Sequence, residues 1–220
     1  TDHGYIPVYL AQTGRIASAL AMDVRPGPLE RAQAHVRDYE ERERARRQDV
    51  WAVPIHLRLS DGLKELKPGE ADTVIIAGMG GELIIKILDE GRHVWDSVKQ
   101  YVLSPQSDLD KVRRYLAAHG FAIEDEAMVK DEGKYYTVMS VKRGFMEYES
   151  QAHYLYGKIL IDKKDVILRE YLGREMLRIE KILVSLQAKD GITDTETRAE
   201  ARISRQKELS WIKEAQDEMQ

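Results

Sequence analysis

Apolar positions along the first 145 residues alternate between two rhythms. Short unbroken or alternating runs at Ile16–Met22, Ile55–Leu59, Thr73–Ile76, Tyr101–Leu103, Phe121–Ile123 and Tyr135–Met139 predict strands. Segments with apolar residues three and four apart predict helices at Ile6–Gln12, from Leu29 onward, at Leu83–Leu88 and at Leu109–Ala118. Pro26-Gly27-Pro28 is expected to keep the chain out of helix until Leu29. Ser107 is expected to cap the helix that follows it, and Gly120 to stop that helix. The run Thr73–Ile76 is all apolar and breaks into Ala77-Gly78-Met79-Gly80-Gly81-Glu82, which predicts a buried parallel strand ending in a ligand-facing turn. Asp131-Glu132-Gly133 reads as the turn of a closing hairpin. Strands alternating with helices and ending in a hairpin define an α/β class: a doubly wound, Rossmann-like sheet with an antiparallel edge.

The rhythm changes near Tyr148. Leu168, Leu172, Ile179, Ile182, Leu183 and Leu186 form one stripe at helical spacing, Asp190–Asp194 interrupts it, and Ile203, Leu209, Ile212 and Met219 resume it. This predicts two antiparallel helices forming a coiled-coil hairpin, with domains at 1–147 and 148–220. At the other end, Thr1-Asp2-His3-Gly4-Tyr5 reads as the inside of a loop running straight into a helix, with no strand before it. The expectation is that a first strand is missing from the start.

Composition narrows the chemistry. The chain has 220 residues and no cysteine, so disulfide, thiolate and cysteine–zinc chemistry are excluded. No apolar run reaches membrane-spanning length and no leader pattern opens the chain, so a cytoplasmic protein with no membrane partner and no metal is expected. A formal net charge of −4 argues against a globally basic nucleic-acid binder, though not against a local basic face. The charge-dense stretch from Tyr39 to Arg47 reads first as a solvated helix extension with Glu–Arg pairs; Arg44, Arg46 and Arg47 make it the best basic cluster of the N-terminal part.

Three features fall at carboxyl ends of predicted strands: Asp23, Asp61 in Ser60-Asp61-Gly62, and the Gly78–Gly81 turn. A carboxylate there accepts both hydroxyls of an adenosine ribose, and a second one suits the exocyclic amine of adenine. Nicotinamide dinucleotide and S-adenosylmethionine enzymes share that device. A dinucleotide enzyme needs a Gly-x-Gly-x-x-Gly turn beside the pyrophosphate, whereas the surviving first loop carries Asp2 where phosphates would be repelled. The balance favours S-adenosyl-L-methionine.

Taken together, these segments resemble the bacterial tRNA (adenine-22-N1)-methyltransferase family, TrmK. Thr1-Asp2-His3-Gly4-Tyr5-Ile6-Pro7 is similar to the second half of its Asp-x-Gly-Ser/Thr-Asp-His loop, and Asp23 with Gly27-Pro28 to its acidic residue and Gly-Pro pair. Asp61-Gly62-Leu63 matches its Gly-Asp-Gly-Leu turn with Ser60 replacing the first glycine; Ile76–Gly81 matches its most distinctive signature, and Asp131–Tyr136 its Glu-Asp-Gly-Lys-x-Tyr turn. The family's helical C-terminal domain fits the remainder.

The resemblance implies a class I methyltransferase sheet and methyl transfer from S-adenosyl-L-methionine to N1 of adenine 22 in tRNA. It implies Asp2 as catalytic residue, with His3, Asp23, Val24, Ser60, Asp61, Gly62, Ala77, Gly78, Met79 and Gly80 on the cofactor. Tyr5, Arg44, Arg46 and Arg47 are expected on the RNA, and Lys163, Lys164, Arg169, Arg174 and Arg178 are further candidates on the arm. A monomer is expected. Ser104-Pro105-Gln106, where the family usually shows Gln-Pro-Asn, and the lengthened arginine-rich stretch from Tyr39 to Val50 depart from the pattern on the substrate side. The rival readings are a methyltransferase of the same fold acting on a small molecule or protein, a non-catalytic RNA-binding protein and, least, a nicotinamide dehydrogenase.

Overall fold

The computed structural model describes residues 1, 3–46, 52–187 and 196–220. Its elements in chain order are α1 (Tyr5–Gln12), β1 (Ala19–Asp23), α2 (Pro26–Arg46), β2 (Ile55–Leu59), β3 (Thr73–Met79), α3 (Gly81–Glu90), β4 (Gln100–Pro105), α4 (Leu109–Ala118), β5 (Phe121–Asp131), β6 (Lys134–Arg143), α5 (Lys158–Asp162), α6 (Val166–Gln187) and α7 (Glu196–Glu218). They form two compact units, Thr1–Asp72 with Lys86–Val98, and Thr73–Ile85 with Lys99–Gln220.

In the first unit β1 and β2 pair in parallel, from Ala19 opposite Ile55 to Asp23 opposite Leu59, with α2 as the crossover. Ala11, Val36, Tyr39 and Ile55 form one buried cluster of this unit, and the Tyr39 hydroxyl accepts the Val53 N–H at 3.0 Å. Further along, the Trp95 indole N–H donates to the Leu88 carbonyl at 2.9 Å, fixing the turn after α3. The helix α2 starts at Pro26, three residues earlier than the proline pair predicts. The first turn of a helix has no use for the missing N–H, so Pro26 and Pro28 fit there without loss.

The second unit holds a mixed sheet in the order β3-β4-β6-β5. β3 and β4 are parallel, and β6 runs antiparallel to both β4 and β5. The β5–β6 connection is the expected tight hairpin: Asp131 pairs with Lys134, and Glu132 (φ 45) and Gly133 (φ 76) supply two left-handed residues. Burial along β3 alternates, with Val74 and Ile76 inside and Ile75 41% exposed, so this strand is not buried on both faces as its unbroken apolar run predicts.

Helices α6 and α7 pack antiparallel: an Arg169 Nη donates to the Met219 carbonyl at 2.9 Å, and Arg178 meets Glu208 at 3.3 Å. Leu168, Leu172 and Ile179 from the expected stripe are buried with Ile212, Ala215 and Met219, and Met128 of β5 joins the same core. The predicted break at Asp190–Asp194 lies outside the described residues.

A π-helical turn at His153–Gly157, which periodicity does not predict, leads into α5. Arg113 of α4 explains it. The Arg113 guanidinium donates to the carbonyls of Tyr154 (2.7 Å) and Leu155 (3.0 Å), and through Nε and Nη2 to Glu126 Oε1 at 3.0 and 2.8 Å. Both charged side chains are fully buried. A Cβ on Gly157 (φ 92) would stand 2.4 Å from Glu126 Oε2, so only glycine closes this turn.

Candidate functional site

In the first unit the parallel register brings Asp23 and the Ser60–Gly62 turn to the same end of β1 and β2. The Ser60 N–H donates to the Asp23 carbonyl at 2.9 Å, extending the ladder one step past the strands. Ser60 is buried, and its Oγ donates to the Gly62 carbonyl at 2.9 Å while accepting the Glu65 N–H at 3.2 Å. A hydroxyl here does what glycine in the family pattern does not: it ties the turn internally and leaves Asp61 on the outside. Lys64 holds the exposed Asp61 carboxylate and, through that hydrogen bond first and its charge second, lowers its pKa.

Asp23 is partly buried. Its carboxylate lies within hydrogen-bond reach of the Val24 and Arg25 N–H groups. Oδ1 accepts the Arg25 N–H at 3.0 Å. Beside it Val24 stands 57% exposed, an apolar surface next to a carboxylate at a strand end. A carboxylate acceptor for a diol, an apolar face and an outlying carboxylate suit the ribose hydroxyls, the ring and the exocyclic amine of an adenosine.

His3, also in this unit, is fixed through its backbone. Its carbonyl accepts from His35 Nδ1 at 2.7 Å, and its ring stacks on Tyr5, 5.5 Å between centroids. The His35 ring closes the cluster, 4.9 Å from Tyr5 and 5.9 Å from His3 between centroids. A Cβ on Gly4 would lie 3.2 Å from Ala32 Cβ, so the loop rests directly on α2. His35 is the residue missed in the sequence; its only signal is that it shares a helical face with Ala32, Val36 and Tyr39. Tyr5 remains 64% exposed at the edge of this ring cluster. Arg44 is exposed on α2; Asp2, Arg47 and the side chain of Arg46 lie outside the described residues.

In the second unit Ala77, Gly78 and Met79 end β3. The strand continues through a bulge to Met79, opposite Pro105, so Gly78 belongs to the strand, Gly80 links it to α3 and Gly81 opens that helix. Gly78 takes φ 77, and its backbone faces the Gln106 side-chain amide, 4.0 Å from where a Cβ would be. The Gly80 carbonyl accepts the Leu83 and Ile84 N–H groups at 3.1 Å, starting α3. Ser107 belongs to this start: its carbonyl accepts the Gly81 N–H at 3.1 Å. It makes no cap for α4, whose N-cap position is Asp108 with no side-chain cap bond. The expected serine cap is thus corrected; Ser107 serves the preceding helix because β4 delivers it beside β3's end.

No group of three or more His, Asp or Glu among the described residues is placed to hold a metal ion, and no helix there is long and apolar enough to cross a membrane.

A parallel strand pair that ends in acidic groups in one unit, and an open, mixed sheet whose first strand ends in glycines in the other, are the elements of a Rossmann-like α/β methyltransferase. The sequence profile of the TrmK family, tRNA (adenine(22)-N(1))-methyltransferase, matches residues 1–208, and the chain belongs to that family. A Bacillus subtilis tRNA (adenine(22)-N(1))-methyltransferase is 28% identical over 187 residues, 83% of this chain and 74% of the relative. The crystal structure of the B. subtilis TrmK superposes with a TM-score of 0.80 at 25% identity, covering 98% of this chain and 88% of that one. A Streptococcus pneumoniae structure in complex with S-adenosyl-L-methionine gives 0.77 at 29% identity, covering 97% and 88%.

Proposed function

We propose that the protein transfers a methyl group from S-adenosyl-L-methionine to N1 of adenine 22 in tRNA. The observation that carries this is the family match across residues 1–208, well beyond the glycine signature alone. The cofactor supplies a sulfonium-bound, electrophilic methyl carbon. N1 of adenine brings its own lone pair, so the protein has no nucleophile to deprotonate; its work is alignment and accommodation of the positive charge that builds on the base as the N–C bond forms and the C–S bond breaks. Adenine N1 sits inside paired or stacked RNA, so the base must leave its stack to react.

Within this reading Asp23 holds the ribose hydroxyls, Val24 lies against the adenine ring, and Asp61 accepts from its amine. Ser60 and Gly62 shape the turn that presents Asp61, and Ala77, Gly78, Met79 and Gly80 leave room for the cofactor's sulfonium end. Asp2, assigned by family resemblance, accepts a hydrogen bond from the target N6 amine and offsets the charge on the base. His3 orients Asp2 or reaches the cofactor. Tyr5 stacks on the target base, and Arg44, Arg46 and Arg47 meet RNA phosphates. Residues 1–147 form the methyl-transfer domain and 148–220 a coiled-coil arm, in a cytoplasmic monomer.

The test is methyl transfer to unmodified tRNA, with nucleosides identified by mass spectrometry, alongside calorimetry of cofactor binding. Asp2→Ala is expected to abolish transfer while cofactor affinity stays within about threefold; Asp23→Ala is expected to weaken the cofactor at least tenfold. Transfer undiminished in Asp2→Ala removes Asp2 from the mechanism. Transfer to a small molecule or protein in place of tRNA overturns the substrate.

A further inference from the structure

We infer that the cleft between α4 and the segment following β6 binds an unpaired nucleobase of the RNA, stacked on Phe145 and on the Arg114–Tyr154 pair. This rests on the tRNA reading above and adds to it a contact surface on the second unit. The cleft has a volume of about 520 Å³, within the range that takes a single small ligand or nucleotide.

Its walls are unusual for a surface depression. Phe145 is 82% exposed, a phenyl ring left in water two residues after the sheet ends. In the same lining, the Arg114 guanidinium lies 4.0 Å over the Tyr154 ring, and Tyr148 meets that ring edge-on at 5.0 Å, which fixes the platform before anything binds. Ala117 and Ala118 line the cleft with little bulk. Aromatic and guanidinium planes beside an open slot are the arrangement on which RNA bases stack.

Charge points the same way. Arg114 makes its close contacts with neutral groups, the Gln151 side-chain oxygen and the Tyr154 ring, and forms no ion pair among the described residues. A stacked nucleotide would bring its phosphate to that charge. Glu147, also lining the cleft, is an acceptor suited to an exocyclic base amine. A peptide strand would instead need free main-chain donors, and α4 uses its own internally. A second copy of the chain would need on the order of 800 Å² per partner, far more than this one cleft offers.

The experiment compares the full chain with Phe145→Ala, Phe145→Trp, Phe145→Leu and Arg114→Gln. Readouts are tRNA affinity by filter binding, methyl transfer, and cofactor affinity by calorimetry. Phe145→Ala and Arg114→Gln are expected to weaken tRNA binding at least fivefold with cofactor affinity unchanged. Phe145→Trp is expected to restore binding and Phe145→Leu to leave it weak. If the unaltered protein binds and methylates tRNA and both variants do so within twofold, the cleft is not an RNA site. Leucine restoring binding as fully as tryptophan refutes stacking. An unaltered protein that neither binds nor methylates tRNA instead removes the tRNA reading itself.

Discussion

Alanine at position 81 would put a methyl group into the backbone that follows β4. The Cβ would stand 2.5 Å from the Ser107 carbonyl oxygen and 2.9 Å from the Asp108 carbonyl. Relief requires the 107–108 segment to retreat, and that breaks the Gly81 N–H bond to the Ser107 carbonyl, now 3.1 Å. A lost hydrogen bond costs about 1 kcal/mol and overpacking about 1–3 kcal/mol. Alanine returns up to about 1 kcal/mol through helix propensity, so Gly81→Ala should destabilise by about 1–3 kcal/mol in urea unfolding. Gly80 is the control. A Cβ there meets only the Ser107 hydroxyl, at 3.2 Å, which a side chain can relieve. Gly80→Ala should therefore stay within about 0.5 kcal/mol, as substitutions free of a buried feature usually do. Ser107→Ala should erase whatever loss Gly80→Ala shows and leave the Gly81→Ala defect untouched, because it removes the hydroxyl and not the carbonyl. Calorimetry with S-adenosyl-L-methionine should follow the same order. A Gly81→Ala protein of unchanged stability, or one rescued by Ser107→Ala, would refute the account of this strand end.

Arg113→Met should cost about 3–5 kcal/mol, because it leaves the Glu126 carboxylate buried without its cation, and a loss under 1 kcal/mol by urea unfolding would contradict the pairing. The double variant Arg113→Met/Glu126→Leu should recover part of that loss but not all of it, since the Tyr154 and Leu155 carbonyls stay without donors. Glu70, gripped by both Arg58 Nη groups at 2.5 and 2.7 Å, is held down at about 2 from an ordinary 4.5. A carboxylate depressed in the folded state stabilises above its unfolded pKa and loses that contribution as pH falls toward 2. A carboxyl-carbon NMR titration should find the low midpoint, and Arg58→Gln should raise it; a midpoint near the ordinary value in the unaltered protein would dissolve the pair.

Local rules carried much of the architecture. The strands β1, β2 and β4, the hairpin turn at Glu132-Gly133, the stop at Gly120 and the buried stripe of α6 follow from periodicity and from glycine's left-handed backbone. Asp23 and Ser60–Gly62 share one end of their sheet because both close parallel strands in register. What escaped depends on partners distant in the chain. The π-helical turn at His153–Gly157 exists because Arg113, about forty residues earlier, takes its carbonyls. Ser107 serves α3 and not α4 because strand pairing sets it beside Gly81. His35 sits under His3 and Tyr5 through a helix-to-loop contact, and a single histidine on a helix face carries no signal of that. Pro26 misled for a different reason: its cost depends on helix position, which the residue type alone does not specify.

The helical arm bears enough Lys and Arg to look like an RNA clamp, and part of that charge is answered by carboxylates within the fold. Lys163 meets Asp125, Lys130 meets Glu170, and Arg178 lies between Glu175 and Glu208. Arg169 and Arg174 spend donors on the Met219 and Gly133 carbonyls. Such exposed pairs add little to stability, yet each one cancels field that a phosphate would otherwise feel. Arg114 is held, like Arg169 and Arg174, by neutral groups, a carboxamide and a ring, which fix the guanidinium without neutralising it. Attraction for a polyanion is therefore available beside α4, at Arg114, as well as at the arm cations that are held by carbonyls. It also explains how a chain of net charge −4 can hold RNA: what counts is where cations lack carboxylates, not how many cations there are.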